Sequence, residues 1–309
     1  MKNNAIVRII LFSLLAFVLI AVLVVGILIG RFAIATYLWD QTTTSNIEIV
    51  EPDPSLAPTA ESGAPDADLS ANAGAADAAV VPADQISELE IQWIAGSVTI
   101  QPGDTEDIRI SETGELSKPM VWKISENKLI IRSCKDDFSL LSGWAMSRLS
   151  KDLTIIVPKD WTPREIEINT TSADIDISDL TVGDIDIDSV SGQSSLTNCV
   201  AEGLSLDSVS GNIHFTGSLG ALDCNTVSAS CTIVTDRVPR ELDLECVSGD
   251  MDVTLPESAG FSVKMEGLVK NLSSDFPVTK NGNIYTAGDG ACQISFEGMS
   301  GDLSIRQAG

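Results

Sequence analysis

The sequence predicts an all-β fold, a single-stranded β-solenoid (β-helix) with coils of about 19 residues, preceded by one N-terminal transmembrane α-helix. Three observations support this prediction: seven stretches share the same apolar offsets, a pair of small residues follows each shared anchor, and residues 9–30 contain no charged side chain. The anchors of the seven stretches are Ile94, Thr171, Val190, Val209, Val227, Val247 and Met299.

Each stretch alternates apolar and polar residues before its anchor, which is typical of a strand with one buried face. The residue five before the anchor is Leu89, Ile166, Ile185, Leu204, Leu222, Leu242 or Ile294. The residue three before it is Ile91, Ile168, Ile187, Leu206, Cys224, Leu244 or Phe296, and the residue six after it is Ile100, Ile177, Leu196, Phe215, Ile233, Val253 or Ile305. We expect these positions and the anchors themselves to face the core.

A sharp corner is predicted directly after each anchor. The first residue there is Ser in six stretches and Ala95 in the seventh, and the second is always Gly or Ala. Between Thr171 and Val247 the anchors are 19, 19, 18 and 20 residues apart. A coil this short cannot bury its apolar face alone, so neighbouring coils must close the core together.

The N-terminal region predicts where the solenoid lies. Residues 9–30 form an apolar run that would span roughly 33 Å as a helix, enough to cross the hydrocarbon core of a bilayer. Lys2 and Arg8 precede this run, and after Arg31 no Lys or Arg follows until Arg109. The positive-inside rule therefore predicts a cytoplasmic tail at residues 1–8 and an extracytoplasmic solenoid in the cell envelope. A cleaved signal peptide ending near residues 33–35 is the alternative.

Residues 31–85 predict a disordered acidic stalk, because Ala, Pro, Asp, Ser and Thr dominate this segment and large apolar residues are scarce. The solenoid domain is predicted to occupy residues 86–309. The whole chain has a formal net charge of −25, which argues against binding to nucleic acid or to anionic lipid.

Acidic residues alternate with the buried columns, so stacking should align them on the outside. We expect one outward row to contain Glu167, Asp186, Asp223 and Asp243, and another to contain Asp188, Asp207, Glu245 and Glu297. A solvated acidic surface explains such rows without any ligand, and weak binding of Ca²⁺ or of a cationic partner is the alternative. The candidate Ca²⁺ ligands are Glu167, Asp186, Asp188, Asp207, Asp223, Asp243 and Glu245. No motif predicts a tight calcium site.

Neither a metal–cysteine centre nor a catalytic centre is predicted. The six cysteines contain no C-x-x-C pair, and Cys224 and Cys231 fall at inward columns, where buried apolar packing is expected. The single histidine, His214, is predicted to point outward. No catalytic motif is present, so we predict no cofactor and no enzymatic activity, with a polysaccharide-active β-helix enzyme as the minor alternative.

The segment from Cys134 to Lys151 interrupts the repeat with apolar residues, some at helical spacing. It is predicted to cover an end or side of the solenoid, or to contact a partner or a membrane. The candidate partner-binding residues are Phe138, Leu141 and Trp144.

Several of these features resemble one bacterial family. Residues 89–100, 127–131 and 152–158, the Ser-Val-Ser-Gly corners and the closing residues 298–305 are similar to the bacterial putative-adhesin domain family. The resemblance covers about residues 86–309 and implies a β-solenoid domain of unknown function without established catalytic residues.

The sequence thus predicts a membrane-anchored extracytoplasmic binding, adhesion or scaffold module at the cell surface. The alternative is an accessory subunit of an envelope-stress sensor or transporter, because a tail of eight residues cannot hold an output domain. The predicted partner is an envelope or membrane protein or a cell-surface ligand.

Overall fold

The structure is a computed structural model that describes residues 76–114, 119–134, 150–268 and 271–309. The regular elements among the described residues are strands, apart from one short 3-10 helix at Ala83–Gln85. The strands are β1 (Ala76–Pro82), β2 (Glu88–Gly103), β3 (Asp107–Gly114), β4 (Val121–Ser125), β5 (Lys128–Arg132), β6 (Ser150–Pro158), β7 (Glu165–Ser178), β8 (Thr181–Ser189), β9 (Ser194–Ser210), β10 (Ile213–Ser228), β11 (Cys231–Thr235), β12 (Glu241–Ser248), β13 (Met251–Leu255), β14 (Phe261–Gly267), β15 (Leu272–Ser274), β16 (Thr279–Asn281), β17 (Ile284–Ala287), β18 (Cys292–Ser300) and β19 (Leu303–Gln307).

Parallel pairing between successive coils builds two long faces. The first face stacks β5, the start of β2, the start of β7, β8, the ends of β9 and β10, β12, β18 and β14. The second face stacks β6, the end of β2, the end of β7, the starts of β9 and β10, β11, β13, β19 and β15. This arrangement confirms the predicted all-β solenoid for the described residues.

The register of the first face reproduces the periodicity of the sequence. Ile166 lies beside Ile185, which lies beside Leu204, followed by Leu222 and Leu242. These neighbours are 19, 19, 18 and 20 residues apart, the same spacings as those of the anchors. In the central coils a short third face completes the cross-section of the solenoid. Val182 pairs with Ala201 in this face, and Val200 pairs with Ser218.

The core fills the space between the faces. The predicted inward columns five before, three before and six after each anchor are all buried, including Phe215 and Phe296 with no exposed area. At the C-terminal end the ring of Phe276 packs edge-on against Phe261, with the ring centroids 5.3 Å apart.

The prediction that the anchors face the core was wrong for six of the seven. Ile94 is buried, but the other six anchors are only half-buried. The residue before the anchor is buried instead, as for Ser189, Ser208 and Cys246. Strand alternation explains this difference, because positions five, three and one before the anchor share one side of the strand.

Five of the seven corners contain a glycine with a positive φ, whereas Ala173 and Ala229 occupy the other two without one. Gly211 has a φ of 125°, and a Cβ atom placed on it would lie 1.8 Å from the carbonyl oxygen of Gly192 in the neighbouring coil. Only glycine adopts this conformation without strain, and only glycine leaves room for the neighbouring backbone.

The order of the coils along the solenoid differs from their order in the sequence at both ends. β2 lies between β7 and the later pair β5 and β6. Likewise, β18 and β19 lie between β12 and β13 on one side and the earlier β14 and β15 on the other. Antiparallel strands extend both ends, with β4 on β5, β3 on β6 and β17 on β14.

The solenoid sheet also begins earlier than residue 86. β1 pairs antiparallel with β3, although its residues fall within the range that the sequence assigned to the stalk. Some predicted features lie outside the described residues. These are the cytoplasmic tail, the predicted transmembrane helix at residues 9–30 and the candidate partner residues Phe138, Leu141 and Trp144. Among the residues that are described, none belongs to a helix with the length and apolar character needed to span a membrane.

Candidate functional site

The outer surface of the first face carries most of the predicted acidic residues. Three rows of outward positions run along the stacking axis here, and we call this surface the acidic face. The first row contains Glu165, Asp184, Gly203, Ala221 and Glu241; the second contains Glu167, Asp186, Ser205, Asp223 and Asp243; the third contains Asn169, Asp188, Asp207, Asn225 and Glu245.

The predicted carboxylate rows are interrupted. Ser205 separates Asp186 from Asp223 in the second row, and Asn225 separates Asp207 from Glu245 in the third. The seven candidate Ca²⁺ ligands therefore do not form one continuous ladder, and the two interruptions fall in different coils. The sequence analysis considered only the acidic residues at each outward offset. It therefore suggested continuous rows of carboxylates and left out the polar residues Ser205 and Asn225 in the intervening coils.

Two of the candidate ligands differ from the solvated carboxylates that the sequence suggested. Asp188 is only 4% exposed, so its carboxylate is withdrawn from solvent. Glu167 lies beside Glu90 of β2, and its Oε2 is 3.6 Å from Nζ of Lys128. Lys128 also lies 3.4 Å from Oε2 of Glu90, so this end of the acidic face is partly neutralised.

A shallow open groove of about 490 Å³ lies where small residues interrupt the first and second rows. Gly203, Ser205 and Ala221 lie at its centre, where their small side chains leave space between the longer neighbours. Six carboxylate residues line its two sides: Glu165, Asp184 and Asp186 from the preceding coils, and Asp223, Glu241 and Asp243 from the following ones. No basic residue contributes to the lining.

Carboxylates beside the groove destabilise one another's charged forms. Partial burial raises the pKa of Asp223, and the negative charges of Asp207 and Asp243 raise it further. Burial likewise raises the pKa of Glu245, together with the charges of Glu297 and Asp243. A positively charged group bound in this region would relieve the repulsion, so binding of a cation and ionisation of these side chains favour each other.

The acidic face does not enclose a metal ion. Among residues 76–114, 119–134, 150–268 and 271–309, no group of three or more His, Cys, Asp or Glu side chains is arranged to hold one. His214 is exposed on β10, and its neighbours in adjacent coils are Ser195 and Thr232. The geometry here is that of an extended, open surface.

Sequence reasoning missed a buried ion pair near the N-terminal end of the solenoid. Nζ of Lys151 lies 2.6 Å from Oε2 of Glu112, and both side chains are at most 1% exposed. The same Nζ also donates to the carbonyl oxygen of Ser133 and lies 5.1 Å from the centroid of the Trp93 ring. The backbone N–H of Met120 donates to Oε1 of Glu112 at 2.7 Å.

The pattern of the sequence did contain a signal that each of these two charges is buried, although not that they pair. Lys151 is in phase with the buried residues Leu153 and Ile155 on β6, and Glu112 is in phase with Ile110 on β3. A charge at an inward strand position indicates a buried partner of opposite sign, because an isolated charge there would be very costly.

The fold and its surface define a class of protein: a β-solenoid with a long acidic outer face. Residues 86–221 match the Toastrack DUF4097 family, which supports the resemblance seen in the sequence over that part of the chain. The matched region is less than half of the chain. Among curated proteins, no match to the sequence was found.

Three solved structures are similar at low sequence identity. A "putative cell adhesion protein" from Clostridium sporogenes is 12% identical, with 75% of this chain and 98% of that chain covered and a TM-score of 0.38. A "putative adhesin" from Bacteroides fragilis is 11% identical, with coverages of 74% and 96% and a TM-score of 0.43. A "putative adhesin" from Parabacteroides distasonis is 11% identical, with coverages of 74% and 96% and a TM-score of 0.35.

Proposed function

We propose that the solenoid is a binding module and that its acidic face receives an extended cationic ligand, such as a lysine-rich segment of a partner protein. The observation that carries this proposal is the open groove whose lining combines small central residues with six carboxylate residues and no basic residue. At one edge of the groove, Nη2 of Arg164 lies 3.4 Å from Oε2 of Glu165, so a bound chain of positive charges competes with this internal cation there.

A segment with several positive charges suits this surface better than a single metal ion. One exposed ion pair contributes little in water, but several pairs formed by one ligand reinforce each other because the ligand is immobilised only once. A Ca²⁺ ion needs six to eight oxygen ligands around one point, whereas the parallel register spreads these carboxylates along the surface.

We also propose that the solenoid is displayed outside the cytoplasmic membrane from an anchor at residues 9–30. The support for this proposal is the uncharged run, which Lys2 and Arg8 precede and after which Arg31 is the only Lys or Arg before Arg109. The accessory-subunit alternative, with Phe138, Leu141 and Trp144 as contact residues, remains a prediction from the sequence.

The binding proposal is tested by titrating the full chain in detergent with a lysine octamer and measuring the heat of binding. A triple variant, Asp186→Asn, Asp223→Asn and Asp243→Asn, removes three charges from the groove. The matched control, Asp160→Asn, Asp176→Asn and Glu257→Gln, removes three exposed carboxylates outside its lining. We expect the groove variant to weaken binding at least about tenfold and the control variant to change it less than about twofold.

Calcium and sodium distinguish a specific metal effect from simple screening. If Ca²⁺ bound the folded state with a Kd of about 0.1 mM, about 2 mM free calcium would stabilise the fold by roughly 1.8 kcal/mol. Because no enclosed metal site is formed, we expect calcium and sodium chloride at matched ionic strength to raise the melting temperature equally. Equal loss of octamer affinity in the two triple variants would contradict the groove as the binding site.

A further inference from the structure

Two cysteines of one coil meet in the core although they lie on different faces. Cys224 is an inward residue of β10 on the first face, and Cys231 is the first residue of β11 on the second. Their Sγ atoms are 3.3 Å apart, and the two residues are at most 1% exposed. The corner at residues 227–230 brings them together.

The neighbouring coils show that this meeting point is a regular feature of the core. The residues stacked on Cys224 are Leu206 and Leu244, and those stacked on Cys231 are Ile213 and Met251. All four are large, apolar and buried. In one coil, therefore, both members of a core pair are cysteine, which supplies less packing volume than its neighbours but allows a covalent bond.

Other buried cysteines direct their thiols elsewhere. The thiol of Cys199 donates to the carbonyl oxygens of Ile177 and Thr197, at 3.6 and 3.5 Å. The thiol of Cys246 donates to the carbonyl oxygen of Gly249 at 3.6 Å. Cys224 and Cys231, by contrast, direct their sulfur atoms towards each other.

We propose that Cys224 and Cys231 are a modification site at which an intrachain disulfide bond forms and closes this corner covalently. The sulfur atoms must approach by about 1.3 Å to reach the length of a disulfide. The oxidant is a disulfide of the class R–S–S–R, such as oxidised glutathione or an oxidoreductase disulfide.

The exchange takes place in two steps. The thiolate of one cysteine attacks R–S–S–R, forms a mixed disulfide and releases one R–S⁻. The second cysteine then attacks the protein sulfur of that mixed disulfide, forms the Cys224–Cys231 bond and releases the second R–S⁻. Two protein thiols are oxidised, the oxidant is reduced to two R–SH, and the two thiol protons are taken up by the two R–S⁻ groups.

Burial determines when this bond can form. The hydrogen bond to Cys231 and burial both raise the pKa of Cys224 well above its ordinary value, so its thiol stays protonated and unreactive in the folded chain. Oxidation therefore belongs to the folding process, before the coil closes over the two sulfur atoms. Once formed, the buried bond is protected from reducing agents.

The bond would stabilise the strand that carries part of the acidic face. Cys224 directly follows Asp223 on β10, and their side chains point to opposite sides of the sheet. The covalent closure nevertheless does not depend on what the acidic face binds, because it needs only the two sulfur atoms and an oxidant.

The test begins with the full chain in detergent, reduced and unfolded in denaturant, and then refolded with a mixture of oxidised and reduced glutathione. Free thiols are alkylated with one reagent after denaturation; the disulfides are then reduced, and the newly freed thiols are alkylated with a second reagent. Tandem mass spectrometry reads the label on each cysteine. We expect the second label on Cys224 and Cys231, and the first label on Cys199, Cys246 and Cys292.

Two variants make the result specific. In Cys231→Ala, Cys224 has lost its partner and should carry the first label, whereas Cys199→Ala should leave the Cys224–Cys231 bond unchanged. If the refolded protein without substitutions carried the first label on both Cys224 and Cys231, the proposal would be overturned. Pairing of either residue with Cys199, Cys246 or Cys292 in the refolded protein would overturn it as well.

Discussion

Phe215 and His214 are consecutive residues of β10 with opposite environments. The ring of Phe215 is completely buried, whereas His214 is exposed on the outer side of the same strand. The alternation of the strand alone predicts this difference, so the two residues form a matched pair for testing the register.

We expect Phe215→Ala to lower the free energy of unfolding by about 3–5 kcal/mol, because it leaves a cavity between stacked coils. His214→Ala should change it by less than about 0.5 kcal/mol, because the side chain is on the surface. Chemical denaturation of both variants measures the difference. Similar losses in the two variants would mean that the register is wrong.

The buried pair of Lys151 and Glu112 provides a second prediction at the scale of residues. Replacing only one partner, as in Lys151→Met, leaves an unpaired buried carboxylate and should cost about 3–5 kcal/mol. The double variant Lys151→Met and Glu112→Leu removes both charges and should recover much of that loss. The single variant Glu112→Leu completes the comparison. If the double variant lost as much free energy of unfolding as the two single variants together, the charges would not be coupled.

The strands of the first face combine a buried inner side with an acidic outer side. Their inner columns could be predicted from the sequence because apolar residues recur at fixed offsets, and the structure buries those columns. The groove could not be predicted, because it depends on which outward residues are small in adjacent coils and on the register that aligns them.

The crowding of carboxylates on these strands predicts a dependence of stability on pH. Asp223 has a raised pKa in the folded chain, so the folded state binds this proton more tightly than the unfolded state does. This residue's contribution to the free energy of unfolding therefore rises as the pH falls from neutral towards the ordinary carboxyl value of 3.8, and it levels off below that value.

We expect Asp223→Asn to raise the melting temperature at neutral pH and to have no such effect below pH 3.8. Glu257→Gln, at an exposed turn outside the groove lining, is the control and should have little effect at either pH. Calorimetric scans at both pH values measure the difference. A melting temperature that falls in Asp223→Asn at neutral pH would contradict the repulsion inferred for these strands.

At the scale of the whole molecule, the arrangement of the chain in the cell gives a further prediction. Protease added to intact protoplasts should release the solenoid by cutting within residues 45–75, before β1, and should leave residues 9–30 in the membrane. Immunoblots with antibodies against the solenoid, compared with an exposed control protein, measure the cleavage. Survival of the full-length chain while the control is digested would place the solenoid inside the cell.

The sequence by itself determined the repeat, the coil length and the inward columns, because an apolar period of two and a recurrence of about 19 residues are local properties of the chain. It misplaced the anchors, since the corner side chains depend on how the strand continues past the last buried residue. Only the tertiary structure decided the exchanged coil order at both ends, the pairing of Lys151 with Glu112 and the meeting of Cys224 with Cys231. The physical reason is that these contacts depend on which segments bury each other's edges and side chains, which no local pattern specifies.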